Sequence, residues 1–572
     1  MLALIAVWAL APSTAAADYA LNLIDIEAPA PLAEFLRENI SLPAAEPPLD
    51  RVQRMRLGAL ARKQSADLLA TEGYFNAQAD IAKDGGERLR LVVTPGPRAM
   101  ISSVELNFTG AIAHGDEGAA RMATLRATWR LAAGQPFRQR DWDDAKDALR
   151  QALLDKDYAA ARLEESRAEV DPEAATVRLS LSIDSGPAFT LGTLDVRGLQ
   201  RYDRELVERY SRIAPGERYS QERLLDLQRT LQNTPYFSSV RVSIDHDPAE
   251  AERVPVQISV VEARAKRVSF GAGYSSNNGP RAQASYSDAN IIGRGWLLDT
   301  GLRIDARGQM AFVDLHLPPT PKDYRDSFGL LDERNDNQGL FTNRLALGAV
   351  RAQTRGSVET QLSLNWQREQ RQVDQGDTST SQALVLNYAW TKRAVDNVLD
   401  PRRGYVIGAQ IGGAARGLLS DRNFIRTTLR GQRYWTVFQR DVVTLRADAG
   451  WTAATTRDDV PEQYLFRAGG AQSVRGYAYQ SLGVREDSAI VGGRYLFSVG
   501  AEYVRWLTPE WGAALFVDAG NAADQPQALF PLRRSLGIGA RWRSPAGPLA
   551  FDLAYAEHDR KIRPVFSIAI AF

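Results

Sequence analysis

From Arg264 to Phe572 apolar side chains recur at every second position, and no stretch there is long enough to cross a membrane as a helix. Val268, Phe270, Ala272 and Tyr274 alternate with Ser269, Gly271, Gly273 and Ser275; Phe566, Ile568, Ile570 and Phe572 alternate with Val565, Ser567, Ala569 and Ala571. A period of two sends the two sets to opposite faces of a strand. Apolar outside and small or polar inside is the pattern of a transmembrane β-barrel, which spans a bilayer because closure satisfies every backbone group. Sixteen strands can be marked between 265 and 572, and an even number leaves both barrel ends on one side of the membrane. The turns Thr508–Glu510 and Ser544–Gly547 are short while Asn521–Leu532 and Glu557–Arg563 are longer, which places the short ones on the periplasmic side. Trp506 and Trp511 flank one short turn and are expected as interface anchors. A soluble β-sandwich is the competing architecture.

The N-terminal run Met1–Ala11 is too short for a spanning helix, which needs about 20 residues. Followed by Ala15-Ala16-Ala17, it reads as a secretory signal peptide over 1–17, although no Lys or Arg precedes it; a buried first helix is the alternative. Basic and acidic residues number 70 and 69, so no nucleic-acid partner is indicated. With no cysteine and four histidines, none spaced as a metal pair, no thiolate chemistry, metal or cofactor is expected.

Between Asp18 and Arg264 a module repeats. Helical stretches run into Tyr74-Phe75, Tyr158 and Tyr236-Phe237, with the tyrosines 84 and 78 residues apart. Strands follow at Leu89–Thr94, Thr176–Ile183 and Val254–Val261. A period near 80, with two helices and three short strands, makes three small α/β domains, over 18–98, 99–187 and 188–264. In the last, Leu224, Leu225, Leu227 and Leu231 are expected to pack on the sheet. The unit resembles the POTRA repeat, whose implied role is to accept extended chains at a sheet edge by main-chain hydrogen bonding.

Within the barrel half, residues 454–492 separate two strands by a distance long enough to mark a functional loop. It contains Gly469, Gly470, Val474, Arg475, Gly476 and Tyr477. On the strand after it, Tyr495, Phe497, Val499, Ala501 and Tyr503 share a lipid-facing side, which turns Glu502 into the lumen; on the next, Ala513, Leu515, Val517 and Ala519 turn Asp518 inward. Two carboxylates facing a confined lumen call for a cation between them, and a guanidinium can pair with both. The alternative is that these charges only line a wet lumen.

Four motifs in order resemble the Omp85 family of outer-membrane assembly and transport proteins: Asn290–Gly295, Asp396–Tyr405 (D-x-x-x-D-P-x-x-G-Y), Gly469-Gly470 with Val474–Tyr477, and Phe516–Gly520 (F-x-D-x-G). The resemblance implies that the long loop folds into the barrel, where Arg475, Gly476 and Tyr477 would latch onto Glu502 and Asp518. It implies three POTRA-like domains before a 16-stranded barrel, and insertion of unfolded outer-membrane protein clients, autotransporters included, into outer-membrane lipid. A repeat count of three is similar to the TamA branch, which implies a TamB-like, inner-membrane-anchored partner spanning the periplasm. The expected working site is a lateral seam between Phe270, Gly271 and Gly273 on the first strand and Phe566, Ile568, Ile570 and Phe572 on the last; glycine weakens a strand and lets another backbone approach. A two-partner secretion transporter exporting one dedicated polypeptide is the alternative, and a porin would not carry the N-terminal modules. Enzymatic activity is not expected: neither His316 nor His558 stands near a serine motif, and no phosphate loop is present.

Overall fold

The computed structural model describes residues 23–43, 49–82, 88–374, 376–545 and 547–571, with side chains through Phe566. The expected signal peptide over 1–17 and the terminal Phe572 lie outside the described residues, as do the side chains of Ile568 and Ile570.

Three modules share one topology. The first has strand Ile24–Glu27, helices Ala30–Asn39 and Arg51–Thr71, then strands Gln78–Ala82 and Leu89–Thr94. Asp50 starts the longer helix: its carboxylate accepts the Gln53 N–H at 2.7 Å while the Gln53 side chain accepts the Asp50 N–H at 2.9 Å. In the sheet the third strand lies between the other two, parallel to the first and antiparallel to the second. Leu36, Leu57, Ala61 and Leu69 on the helices close over Ile24, Ile26, Leu91 and Val93, so apolar burial on one sheet face holds the module together. The second module repeats this with strands Met100–Thr109, Arg162–Asp171 and Thr176–Asp184 and helices Gly115–Thr128 and Gln139–Leu154; Trp142, Leu149 and Leu153 pack with Val177, Leu179, Leu181 and Ile183.

The third has strands Leu191–Arg197, Phe237–Ser243 and Val254–Glu262 in the same order, and helices Arg204–Tyr210 and Gln221–Gln232. Leu224, Leu227 and Leu231 are buried, but Leu225 is exposed, because four leucines within eight positions exceed one helical face. The chain divides into two compact units through this module: Val196–Arg212 and Arg229–Val240 group with everything from Ser259 onward. Within that second unit, the buried Tyr236 hydroxyl donates to the carbonyl of Gly295 at 2.8 Å.

The barrel is closed, with sixteen strands in sequence order from Lys266–Ser275 to Lys561–Ala571. Every neighbouring pair that shares a register is antiparallel, and alternation sets the faces: Val268, Phe270, Leu302, Ile304, Phe328 and Leu330 are among the exposed apolar side chains. At the periplasmic rim Trp511 and Trp542 stack outside the wall, rings 5.2 Å apart. Trp506 is not an outward anchor. It shares parity with Glu502 and the buried Val504, so it faces the lumen; flanking a turn does not decide which face a side chain takes.

Candidate functional site

The eleventh strand, Asp441–Ala453, and the twelfth, Tyr495–Trp506, are joined by the long loop, whose central residues are buried against the inner wall. Arg475 is only 6% exposed and its guanidinium makes four hydrogen bonds. Its Nε and one terminal nitrogen donate to the two oxygens of Asp518 at 2.8 and 3.1 Å, and the other terminal nitrogen donates to Glu502 at 2.6 Å and Asp552 at 3.1 Å. The Arg475 backbone N–H also reaches Asp518, at 3.2 Å. Thus Arg475, Glu502 and Asp518 come together in the structure, with Asp552 as a third carboxylate.

Two further guanidinium groups complete the cluster. Arg446 reaches Asp518 at 2.8 Å and donates to the Ser473 carbonyl at 2.7 Å. Arg541 pairs with Glu502 at 2.7 Å and Asp552 at 2.6 Å. Three carboxylates meet three guanidinium groups, so the desolvated charges cancel and most lone pairs are occupied, the condition under which a buried ionic network is tolerated. The sequence reading missed Asp552, Arg541 and Arg446. Their signal was the same parity: Phe551 and Leu553 face out around Asp552, Trp542 beside Arg541, and Leu445 beside Arg446.

The F-x-D-x-G strand, Trp511–Ala523, contributes all three of its motif residues on the inward face. Phe516 lies under the Arg475 guanidinium, 3.5 Å from ring centroid to Cζ. Asp518 holds it. Gly520 leaves room for Val474: a Cβ there would stand 2.9 Å from Val474 Cγ2. On the loop, Gly476 has φ +89° and passes so close to strand Gly547–Ala556 that a Cβ would meet the Ala554 carbonyl at 3.2 Å. Tyr477 is buried and donates to the Arg534 carbonyl at 3.1 Å. Val474 is fully buried, and Gly469 and Gly470, both at positive φ, form the turn behind it.

A second set of contacts holds the other side of the loop. Glu462 pairs with Arg371 on the seventh strand, Val358–Val373, at 3.2 Å, and accepts the Gly492 N–H at 2.8 Å. Glu486 pairs with Arg371 at 2.6 Å and with Arg457 at 2.8 Å. The loop is therefore tied to opposite stretches of the wall.

At the seam, the last strand pairs with the first from Gly271 opposite Ala571 to Ser275 opposite Ser567. Among the described residues that is five positions, against ten between the first and second strands. Phe270 is exposed on the outer face. Phe566 stacks on Tyr274 with ring centroids 5.5 Å apart, and its N–H and carbonyl bond to Ser276. Gly271 faces Ala571 and Ile568 faces Tyr274, so Gly271 and Ile568 are not opposite one another.

A family model described as the Omp85 superfamily domain matches residues 261–572, and one described as a surface antigen variable number repeat, POTRA, matches 114–186 and 189–263. The chain belongs to the Omp85 superfamily. Its barrel lies in the outer membrane and its N-terminal POTRA modules in the periplasm. It is similar to the outer membrane protein assembly factor BamA of Nitratidesulfovibrio vulgaris, 24% identical over 523 residues that cover 87% of this chain and 65% of that one. BamA of Neorickettsia risticii is 21% identical over 68% of this chain and 55% of its own. The chain thus spans between about half and two thirds of the length of these curated relatives. The crystal structure of BamA from Haemophilus ducreyi lacking POTRA domains 1–3 superposes with a TM-score of 0.68 at 18% identity, covering 83% of this chain and all of that one, a likeness of fold. The TamA branch expected from the repeat count does not emerge from these matches: the relatives carry the name BamA and are longer, so counting modules on this chain does not separate the branches.

Another Omp85 motif, Asp396–Tyr405, forms the periplasmic turn between the eighth strand, Thr378–Val395, and the ninth, Gly404–Ala414. One Asp396 oxygen accepts the backbone N–H groups of Asn397, Arg402 and Arg403 at 3.0–3.1 Å and folds the turn. Asp400 then pairs at 2.8 Å with Arg543 on the fourteenth strand, Arg533–Ser544. Arg543 is itself placed by Trp506, whose ring centroid is 3.3 Å from its Cζ, and by the Pro509 carbonyl at 2.9 Å. The turn therefore leans across the periplasmic mouth.

Proposed function

We propose that this chain is an outer-membrane protein assembly factor that folds and inserts β-barrel clients, autotransporters among them, at the seam between its first and last strands. The observation that carries the reading is the unequal pairing of the first strand among the described residues, ten positions on one side and five on the other. An edge with free N–H and C=O groups accepts another strand through main-chain hydrogen bonds, so clients of many sequences can be templated there. Gly271 and Gly273 keep the inward face of that strand bare. In each POTRA module the second strand is a sheet edge, a second place where an unfolded client chain can add. The latch around Arg475 holds the long loop inward and supports the wall while the seam is used. The BamA name of the relatives supports the assembly role and favours partners of the BamA type over a TamB-like protein.

A disulfide across the seam tests this. Ala272 and Ile570 are opposite in register, and the natural chain has no cysteine, so Ala272→Cys with Ile570→Cys introduces one possible bond. In proteoliposomes supplied with an unfolded outer-membrane barrel protein, oxidation is expected to stop client insertion and reductant to restore it. Full client insertion with the seam quantitatively crosslinked would refute the seam as the working site.

A further inference from the structure

Half-way round the barrel from the seam, the eighth, ninth and tenth strands (the tenth is Phe424–Val437) carry two cations and two aromatic rings near their periplasmic ends. Parity fixes their direction. Leu386 and Tyr388 are exposed on the eighth strand, Ile407 and Ile411 on the ninth, and Ile425 and Leu429 on the tenth. Lys392, Tyr405, Arg433 and Trp435 share those parities and face the membrane. Tyr405 and Arg433 are directly opposite in register. Lys392 Nζ lies 5.8 Å from the Tyr405 ring centroid, and Arg433 Cζ lies 5.7 Å from the same centroid and 5.5 Å from that of Trp435.

Among the described residues, neither Lys392 nor Arg433 has a carboxylate partner. Neighbouring cations do. On the outer face, Arg351 is held by Asp326 at 2.7 Å and Arg505 by Asp441 at 3.2 Å. On the inner face of the same strands, Arg393 pairs with Glu359 at 2.5 Å and Arg430 with Asp448 at 2.6 Å. Two like charges against one ring repel, and a ring at an exposed site returns little to each. An anion supplied from outside the protein answers both.

The height of the cluster says which anion. Tyr405 is the second residue of its strand after the periplasmic turn, and Arg433 stands four positions before the end of its own at Val437. That is the level of aromatic belts and headgroups, to which Lys and Arg stems extend. The adjacent turns expose Val398, Leu399 and Phe438 beside Arg402, Arg403 and Arg440, an apolar and cationic mixture suited to an interface. We infer that Lys392, Tyr405, Arg433 and Trp435 form a binding site for the phosphate of an anionic phospholipid in the periplasmic leaflet. Its acyl chains lie along Ile407, Ile411 and Leu429, and the site tethers the side of the barrel remote from the seam.

The test is native mass spectrometry of the full chain in detergent micelles, titrated with phosphatidylglycerol or phosphatidylcholine. Wild type is expected to retain phosphatidylglycerol in preference. Lys392→Gln and Arg433→Gln should each weaken that retention about fivefold and together roughly 25-fold, leaving phosphatidylcholine unchanged. Arg433→Lys keeps the charge and should retain the lipid; Arg351→Gln, whose cation is already paired, should behave as wild type. Heat-modifiable migration on gels shows that each barrel is folded. Equal retention of the two lipids by wild type, wild-type retention by the double variant, or complete displacement by inorganic phosphate would overturn the assignment.

Discussion

The Arg475 guanidinium lies 3.5 Å from the centre of the Phe516 ring while Asp518 takes two of its nitrogens. Packing, charge and hydrogen bonding thus converge on one planar group, which an ammonium cannot reproduce. Arg475→Lys is expected to lose most of what Arg475→Ala loses. Leaving Glu502, Asp518 and Asp552 with two cations costs at most roughly 3–5 kcal/mol, and less where lumen water reaches them. Trypsin cleavage at Arg467, half-buried between the buried Phe466 and Ala468, reads release of the loop, and client insertion reads its consequence. An Arg475→Ala protein with wild-type protease resistance and activity would show that the latch does not act.

Gly520→Ala should loosen the same loop without touching a charge. The new Cβ would stand 2.7 Å from Ser498 Cβ and 2.9 Å from Val474 Cγ2, and overpacking of that kind costs about 1–3 kcal/mol. Val474→Ala in the same chain removes one of the clashing groups and is expected to return part of the protease resistance. No improvement in the double variant would place the damage at Ser498 and the Phe497 carbonyl, which the same Cβ meets at 2.7 and 2.9 Å.

Asp400 and Arg543 connect the turn after the eighth strand to the fourteenth. Asp400→Asn should weaken the hold of this turn across the periplasmic mouth about fivefold, the equivalent of roughly 1 kcal/mol for a partly exposed pair. Planar-bilayer recordings report this as a larger fraction of time conducting. Unchanged conductance in both Asp400→Asn and Arg543→Ala would mean the turn does not limit the pore.

Glu262 gives the third POTRA module a defined acid limb. Burial alone would raise its carboxyl, but Arg201 and the N–H groups of Gln200, Arg201 and Tyr202 outweigh burial and take it from the ordinary 4.5 down to about 2. A depressed folded value stabilises the module above the unfolded value and loses that stabilisation as pH falls from 4.5 towards 2. The full shift corresponds to about 3 kcal/mol, an upper bound that solvent screening at the exposed Arg201 reduces. Amide hydrogen exchange at Gln200 and Arg201 should be far slower in wild type than in Glu262→Gln at pH 6, with the two converging near pH 2. A constant ratio across that range would contradict the assignment.

Strand parity made Glu502 and Asp518 legible as inward carboxylates, because direction along a strand is a local property. It could not show that Asp552, Arg541 and Arg446 meet them, because convergence across five strands depends on barrel stagger and on where the loop comes to rest. The seam register was not legible for the same reason: Gly271 meets Ala571, and nothing in either strand alone fixes that pairing. Trp506 was misread because its neighbourhood to a turn was given more weight than its parity with Glu502. The repeat count described this chain correctly but not its branch, since longer relatives share the same barrel.

The double anchorage of the loop has a mechanical consequence. Tied to Arg371 on one stretch of wall and to Asp518 on another, it acts as a crosspiece inside a hoop. Sectors fastened to a crosspiece keep their curvature, so a change of circumference cannot be shared evenly among sixteen joints. It falls on the joint with the fewest paired positions among the described residues, the closure between Gly271 and Ser275 on one strand and Ser567 and Ala571 on the other.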